Sequence, residues 1–461
     1  MSKTEEFDVI IIGAGQAGNP LSKAFAFAGK KIALVEEKYV GGTCVNVGCT
    51  PTKTMIASAE IAHQARHAHK YGVELDNLSV DLDKVRERKR EIVSSFRNGS
   101  EKGIIDAGVS LIYGNATFIG HKILELTSQN NTRQLTADTI ILNAGARPNI
   151  PVISGLENIN YLDSTSIMEL EEVPEHLIIL GGGYIALEFG QMFHRFGSQV
   201  TILQQSEQLL GREDDDVAEE LRKILEEDGI QVYLNAKTKF ISQSTNNKIS
   251  LQVTTPTGEI DITGTHLLVA TGRIPNSDQM NLAKTGVKVD KRGFVEVNEK
   301  LETNITGIYA AGDIKGGPAF THIAYDDFRI LEGNLLHKKS LSVKDRMVPY
   351  VLFTDPQLGR IGLSEKEALL ANVDFTVVKI PMNYVARALE LDRTSGFMKA
   401  LVNTETKQIL GAAILGVEGG EIMAMLQIAM MGKVPYTALR DGIFAHPTLA
   451  ESLNTLFSSL P

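Results

Sequence analysis

Two cysteines, Cys44 and Cys49, are the whole thiol content of this 461-residue chain. They stand with four residues between them in GGTCVNVGCTPTK (41–53). Zinc sites draw on four ligands and usually on C-x2-C pairs, so this pair cannot build one by itself. His63 and His67 in HQARHAHK (63–70) have i, i+4 spacing, which an amphipathic helix surface explains more simply than a metal does. A redox pair accounts for more. The segment TPTKTMIASAEIAHQA after Cys49 has helical character, which puts the thiols at a helix N-terminus, where positive partial charge favours the reactive thiolate. Gly41 and Gly42 just before Cys44 suit a close approach of backbone to a cofactor.

The elements that would position such a pair occur twice. FDVIIIGAGQAGNPLSKAFAFAGKKIALVEE (7–37) and HLIILGGGYIALEFGQMFHRFGSQVTILQQ (176–205) each run strand, glycine turn, helix, strand. The first carries Gly13, Gly15 and Gly18, and the second Gly181, Gly183 and Ala186. In such a turn the first glycine permits the bend, the second admits a pyrophosphate, and the third small residue lets helix pack on strand. The second strand of each copy is expected to end at Glu36 and at Gln204, where a polar side chain would hold a ribose hydroxyl. Two sites in one chain imply two nucleotides and electron transfer between them.

The rest of the chain fits that scheme. TADTIILNAGARPNIP (136–151) and GTHLLVATGRIPNSD (264–278) each read as a strand into a turn, at Gly145 and Gly272. TNITGIYAAGDIKGG (303–317) is a strand ending at Gly312-Asp313, and short alternating strands lie between 230 and 270. After about 345 the texture changes to a hairpin (396–416) and a helix (419–432), in which Met423, Met425, Met430 and Met431 are packing or interface residues. The fold class is α/β, with two Rossmann-like dinucleotide-binding domains and a C-terminal α+β domain.

A net charge of −10 disfavours nucleic acid as a partner, and VRERKREI (85–92) reads as a solvated helix face. No apolar run is long enough to span a membrane. The opening MSKTEEFDVIIIG lacks the features of a signal peptide, so the cytoplasm is the expected compartment, where lasting disulfides are uncommon.

Taken together, GAGQAG with Glu36, GGTCVNVGCTPTK, GGGYIALE, ATGRIPN, AAGD (310–313) and HPTLAE (446–451) resemble the class I flavoprotein disulfide reductases, relatives of lipoamide dehydrogenase, glutathione reductase and mercuric reductase. The resemblance covers essentially the whole chain. It implies an FAD-binding domain from 1–148 and 274–345, an NAD(P)-binding domain from 149–273, and a dimerisation domain from 346–461. By it, Gly13, Gly15, Gly18, Glu36, Gly42, Thr43, Lys53, Gly145 and Asp313 hold FAD, the last on the ribityl chain at the start of a helix. Gly181, Gly183, Ala186, Gln204 and Gly272 hold NAD(P)H. Tyr184 resembles the flap over the flavin, and Lys53 with Glu188 the ion pair beside its reactive nitrogen. Cys44 resembles the interchange thiol that meets the acceptor, and Cys49 the thiol that faces the flavin. His446 and Glu451 match the C-terminal couple that reaches the disulfide of the other subunit, which implies an obligate homodimer with a shared active site and no resident metal.

Three departures narrow the branch. No cysteine follows Cys49, which speaks against a mercuric reductase with its additional C-terminal pair. Gln204 stands where an NAD enzyme has an acid and Ala186 replaces a glycine; both lean toward NADPH, although the nearest arginine, Arg212, comes eight residues later. Only Lys23 and Arg329 are on offer for the carboxylates of glutathione. AFTHIAYDDFRI (319–330) and LRDGIFAHPTLAESLNTLF (439–457) are similar to the bacterial reactive-chlorine-resistance flavoenzymes. That likeness implies a small acceptor such as hypothiocyanous acid or Cu(II), with lipoamide or glutathione disulfide as alternatives.

Overall fold

A computed structural model describes residues 4–128, 131–246 and 248–461. The chain divides into two compact units, one made of residues up to Met55, Asp83–Asn149 and Gly272–Arg346, the other of Ile56–Leu82, Ile150–Thr271 and Met347–Pro461.

The first unit is built on a seven-stranded sheet. Its strands Ser110–Tyr113, Ile32–Glu36, Glu5–Ile12 and Asn131–Leu142 lie side by side in parallel, and Ile308–Ala310 adds to the far side of Asn131–Leu142. Ile123–Ser128 and Asn115–Gly120 continue antiparallel from the other half of that long strand. Strands covered on both faces have no polar side to show; accordingly Ile10, Ile12 and Ile140 feed one apolar cluster and Val9, Ile11 and Ile141 another. The helix Gly18–Phe27 crosses between the first two strands and buries Leu21 and Phe25 in the second cluster. The two strand-to-turn segments noted in the sequence pair with each other, Arg273–Pro275 antiparallel to Ala146–Pro148. The carboxylate of Asp278 and the Pro275 carbonyl both accept from Arg147.

The second unit repeats the dinucleotide pattern. Gln231–Tyr233, Gln199–Leu203, His176–Leu180 and His266–Val269 form a parallel sheet, followed along the surface by the antiparallel trio Lys237–Gln243, Ile249–Thr255 and Gly258–Gly264. A five-stranded antiparallel sheet orders Tyr350–Leu352, Gln357–Gly362, Ile409–Gly416, Phe397–Val402 and Thr376–Pro381. The helix Gly419–Met431 lies so close on it that a Cβ at Gly359 would stand 2.4 Å from the Gly419 carbonyl oxygen. The four methionines divide: Met423 is buried, Met425 and Met430 pack at the edge of the core, and Met431 is exposed.

Residues 150–271 and 347–461 cluster as one unit, and buried charges join them. The Lys399 ammonium sits 2.9 Å from Asp214, 2.7 Å from Asp216 and 2.8 Å from Glu365. Residues 56–82 also cluster here, because Tyr71 donates to the Leu391 carbonyl (2.6 Å) and Glu60 pairs with Arg393 (3.3 Å). No described helix is long and apolar enough to cross a membrane.

Candidate active site

The glycine turn after Glu5–Ile12 is shaped by contacts that exclude side chains. Gly13 has φ +105°, and a Cβ there would lie 2.2 Å from the Asn143 carbonyl oxygen; one at Gly18 would lie 2.1 Å from that of Gly13. Asn143, which the sequence reading passed over, locks the turn by donating from Nδ2 to the Gly13 carbonyl (2.9 Å). The Glu36 carboxylate accepts from Ala14 N (2.9 Å), Lys38 N (2.9 Å) and Tyr39 N (3.2 Å). A carboxylate has about four acceptor sites, so one remains for a ribose hydroxyl.

The cysteine segment docks on this turn. Gly41 N donates to the Ala14 carbonyl at 2.9 Å. Gly42 has φ +61°, and a Cβ there would stand 2.8 Å from the Gly15 Cα. Neighbouring protein atoms, Val45 at Gly41 and Gly15 at Gly42, leave no room for a side chain at either glycine. Thr43 and Cys44 lie in the one-turn helix Gly42–Val47, and Cys49 opens the helix Cys49–Arg66, which also carries Lys53. Asn46, between the cysteines, donates to the carbonyls of Val40 and Gly42 and accepts from Arg97 (2.8 Å).

Both cysteines are free thiols, Cys44 partly buried and Cys49 exposed. The Cys49 sulfur lies 3.4 Å from the Thr321 hydroxyl at the start of the helix Thr321–Leu335. A hydrogen bond with Cys49 raises the Cys44 thiol well above its ordinary value, burial adds to this, and Thr321 and Lys53 oppose it. Helix position favours a thiolate within the pair, and the adjacent sulfur and burial act against it at Cys44.

Asp313 lies in the short turn Gly312–Lys315, which precedes the helix Thr321–Leu335 with a glycine pair between them. Burial raises its carboxyl above the ordinary range, against the pull of Arg273 and Lys315. The turn is anchored by buried Asp327, which accepts from Gly312 N (2.8 Å) and from Arg346 (2.8 Å). Gly145 (φ +70°) and Gly272 (φ +107°) flank the paired strands of this unit.

These features fit a dinucleotide. The helix Gly18–Phe27 has neither a side-chain cap nor an acid in its first turn, so no side chain blocks or repels a phosphate at its positive end. The same holds for the helix Tyr184–Phe196 in the second unit. There Gly181 has φ +113° with the Ala270 carbonyl in the place of a Cβ, whereas Gly183 faces open space. Ala186 is fully buried under the turn. Gln204, one residue beyond its strand, directs its amide nitrogen to the Gln208 carbonyl (3.1 Å) and to Ser206. Glu188, buried on the same helix, accepts from Phe353 N (3.0 Å). Tyr184 packs at 5.8 Å on Tyr350, another residue the sequence reading did not single out.

His446 and Glu451 meet in the C-terminal segment. Nδ1 of His446 lies 3.0 and 2.8 Å from the two carboxylate oxygens, and the imidazole is 67% exposed, so Nε2 is the nitrogen left for an incoming group. The acidic group Asp214, Asp216 and Glu365 converges as metal ligands do, but on the Lys399 ammonium.

The family models agree with this layout. Pyridine nucleotide-disulphide oxidoreductase matches residues 7–327, and the dimerisation domain of the same group matches 348–457. The probable pyridine nucleotide-disulfide oxidoreductase RclA of Escherichia coli (strain K12) is 36% identical, covering 98% of this chain and 99% of its own. A mercuric reductase of Staphylococcus aureus is 35% identical over 97% of this chain and 81% of its own. A dihydrolipoyl dehydrogenase of Geobacillus stearothermophilus is 32% identical over 97% and 94%. The solved Cu(II) complex of the HOCl-induced flavoprotein disulfide reductase RclA from Escherichia coli superposes with a TM-score of 0.91 at 35% identity, covering 99% of this chain and 100% of that one. The chain therefore belongs to the pyridine nucleotide-disulphide oxidoreductases, flavoenzymes that use FAD and a pyridine nucleotide and dimerise through the C-terminal domain.

Proposed function

We propose that the chain passes electrons from NADPH through the Cys44–Cys49 pair to a small oxidant, with hypothiocyanous acid and Cu(II) as the leading acceptors. The observation that carries the reading is the hydrogen-bonded dithiol docked on the first glycine turn, with Thr321 against Cys49. The similar RclA, an HOCl-induced reductase solved as a Cu(II) complex, supports the choice of acceptor.

In this reading residues 1–148 with 274–345 bind FAD, 149–273 bind NAD(P), and 346–461 form the dimer. FAD is held by Gly13, Gly15, Gly18, Glu36, Gly42, Thr43, Lys53, Gly145 and Asp313, and the pyridine nucleotide by Gly181, Gly183, Ala186, Gln204 and Gly272. When bound, FAD supplies the two-electron relay between the pyridine nucleotide and the cysteines. Lys53 and Glu188 balance charge beside the flavin, and Tyr184 covers it until the nicotinamide enters. Cys44, protonated in the dithiol, needs a base. His446 of the partner subunit serves, its Nδ1 held by the Glu451 carboxylate so that Nε2 takes the proton.

With hypothiocyanous acid, the Cys44 sulfur bonds the electrophilic sulfur and hydroxide leaves, protonated to water. Cys49 then displaces thiocyanate and closes the disulfide. With copper, two Cu(II) ions each take one electron from the dithiol, giving two Cu(I), the disulfide and two protons. Neither route requires a resident metal, nucleic acid or membrane, and a reducing cytoplasm suits a pair that must return to the dithiol. The lean toward NADPH rests on the neutral Gln204 and on Ala186 in place of the third glycine.

The test is an anaerobic titration of the FAD-loaded protein with NADPH, watching for the long-wavelength flavin–thiolate band. Steady-state turnover of NADPH and NADH then follows, with hypothiocyanous acid, Cu(II), lipoamide, glutathione disulfide and mercuric ion as acceptors. No band, or a band that survives Cys49→Ser, rejects the redox pair. Rapid lipoamide turnover with NADH rejects the proposed acceptor in favour of a dihydrolipoyl dehydrogenase.

A further inference from the structure

Tyr184 is not a free flap in the second unit. Its ring meets Tyr350 at 5.8 Å and 56°, and the two phenols share a hydrogen bond. Tyr350 directs its own proton to Glu213 Oε1. The Tyr350 oxygen is thereby shared between Glu213 and Tyr184. Glu213 is buried, with Oε2 3.0 Å from Arg360 Nε. Arg360 is equally buried and donates to the Ala412 carbonyl (2.9 Å) on the central strand of the five-stranded sheet. Burial raises both phenols above their ordinary range. The chain of contacts runs from a partly exposed ring at the start of a helix to a charge pair rooted in the core.

A buried ion pair adds little net stability, since desolvation offsets its attraction. Packing alone would be served as well by apolar side chains. What this pair does provide is a fixed carboxylate that orients Tyr350, and through it Tyr184.

We propose that Tyr350, Glu213 and Arg360 form a latch that holds Tyr184 shut and thereby sets how often the nicotinamide gains access. The proposal rests on the reading of Tyr184 as the flap. The three are positioning residues, acting only through Tyr184. When the competent state is a minor one, apparent affinity scales with its population. A single net hydrogen bond of ordinary strength corresponds to about fivefold in that population.

The experiment is stopped-flow reduction of the FAD-loaded holoenzyme over a range of NADPH concentrations, with reoxidation by acceptor measured separately. Tyr350→Phe keeps the ring and removes the latch; it should tighten apparent NADPH affinity about fivefold and leave reoxidation unchanged. Tyr184→Phe removes the other hydroxyl of the same bond and should give a similar shift. The double variant should go no further than either single one, since both break one contact. Additive shifts overturn the latch, and so does an equal loss in both half-reactions with a lowered melting temperature, which would mark a structural defect. Tyr184→Ala separates the two readings. If it alters NADPH affinity while Tyr350→Phe stays within twofold, the flap stands and the latch falls. If Tyr184→Ala also changes nothing, the flap reading fails and takes the latch with it.

Discussion

Glu451→Gln isolates the electrostatic part of the proposed acid–base couple. The substitution keeps the side chain's shape but removes the charge that faces His446 Nδ1 at 3.0 and 2.8 Å. A hydrogen bond to a charged group contributes about 1.5–3 kcal/mol. With the imidazole 67% and the carboxylate 33% exposed, water screens the pair, so the lower end of that range applies. About 1.5 kcal/mol corresponds to roughly a tenfold loss of rate. The loss should fall on reoxidation of the reduced enzyme by its acceptor near neutral pH, where Cys44 must give up its proton. Flavin reduction by NADPH should stay within about twofold, and His446→Ala should cost more, about a hundredfold or beyond, because the base itself is gone. Stopped-flow measurement of the two half-reactions reads both effects. A loss under threefold in reoxidation, or an equal loss in both halves, would refute the assigned role.

Gly42→Ala forces a side chain into φ +61° and within 2.8 Å of Gly15, so the cysteine segment should lift from the glycine turn. The ratio of flavin to protein absorbance after purification should drop, and an unchanged ratio with an intact thiolate band contradicts the docking argument. Lys399→Met leaves three carboxylates converging on an apolar side chain and should cost about 3 kcal/mol or more in urea unfolding; a cost under about 1 kcal/mol would show that the cluster is already neutralised. Burial, followed by the charge of Arg195, lowers His63 to about 4 from 6.5. The unfolded chain thus binds an extra proton below pH 6.5, and the associated stability is full above that pH and lost as pH falls toward 4. For this half-exposed ring the loss is about 1–2 kcal/mol, so His63→Gln should flatten the acid limb of a urea-midpoint profile between pH 7 and 4.

The features legible in the sequence are those that depend on near neighbours along the chain. The glycine turns at 13–18 and 181–186, the alternation of strand and helix, and the hairpin at 396–416 are all short-range patterns with a local physical cause. Gly13 and Gly181 adopt positive φ as a tight strand-to-helix turn demands. His446 and Glu451 stand five residues apart and meet in space. The helix position of the thiol pair is a local feature; the way the neighbouring sulfur and burial raise Cys44 depends on how the segment packs. At Gly41 and Gly42 it is likewise Val45 and Gly15 that leave no room for a side chain.

By itself the amino-acid sequence determined the reaction class and pointed to the cysteine pair, because C-x4-C chemistry and dinucleotide turns are written in contiguous segments. Tertiary structure alone decided which residues steady them. Thr321 reaches Cys49 across 272 positions, Asn143 reaches Gly13 across 130, and Tyr350 reaches Glu213 across 137. No periodicity or turn signal links positions so far apart; only the packing of sheets and helices brings their polar atoms together, where burial gives each hydrogen bond its strength.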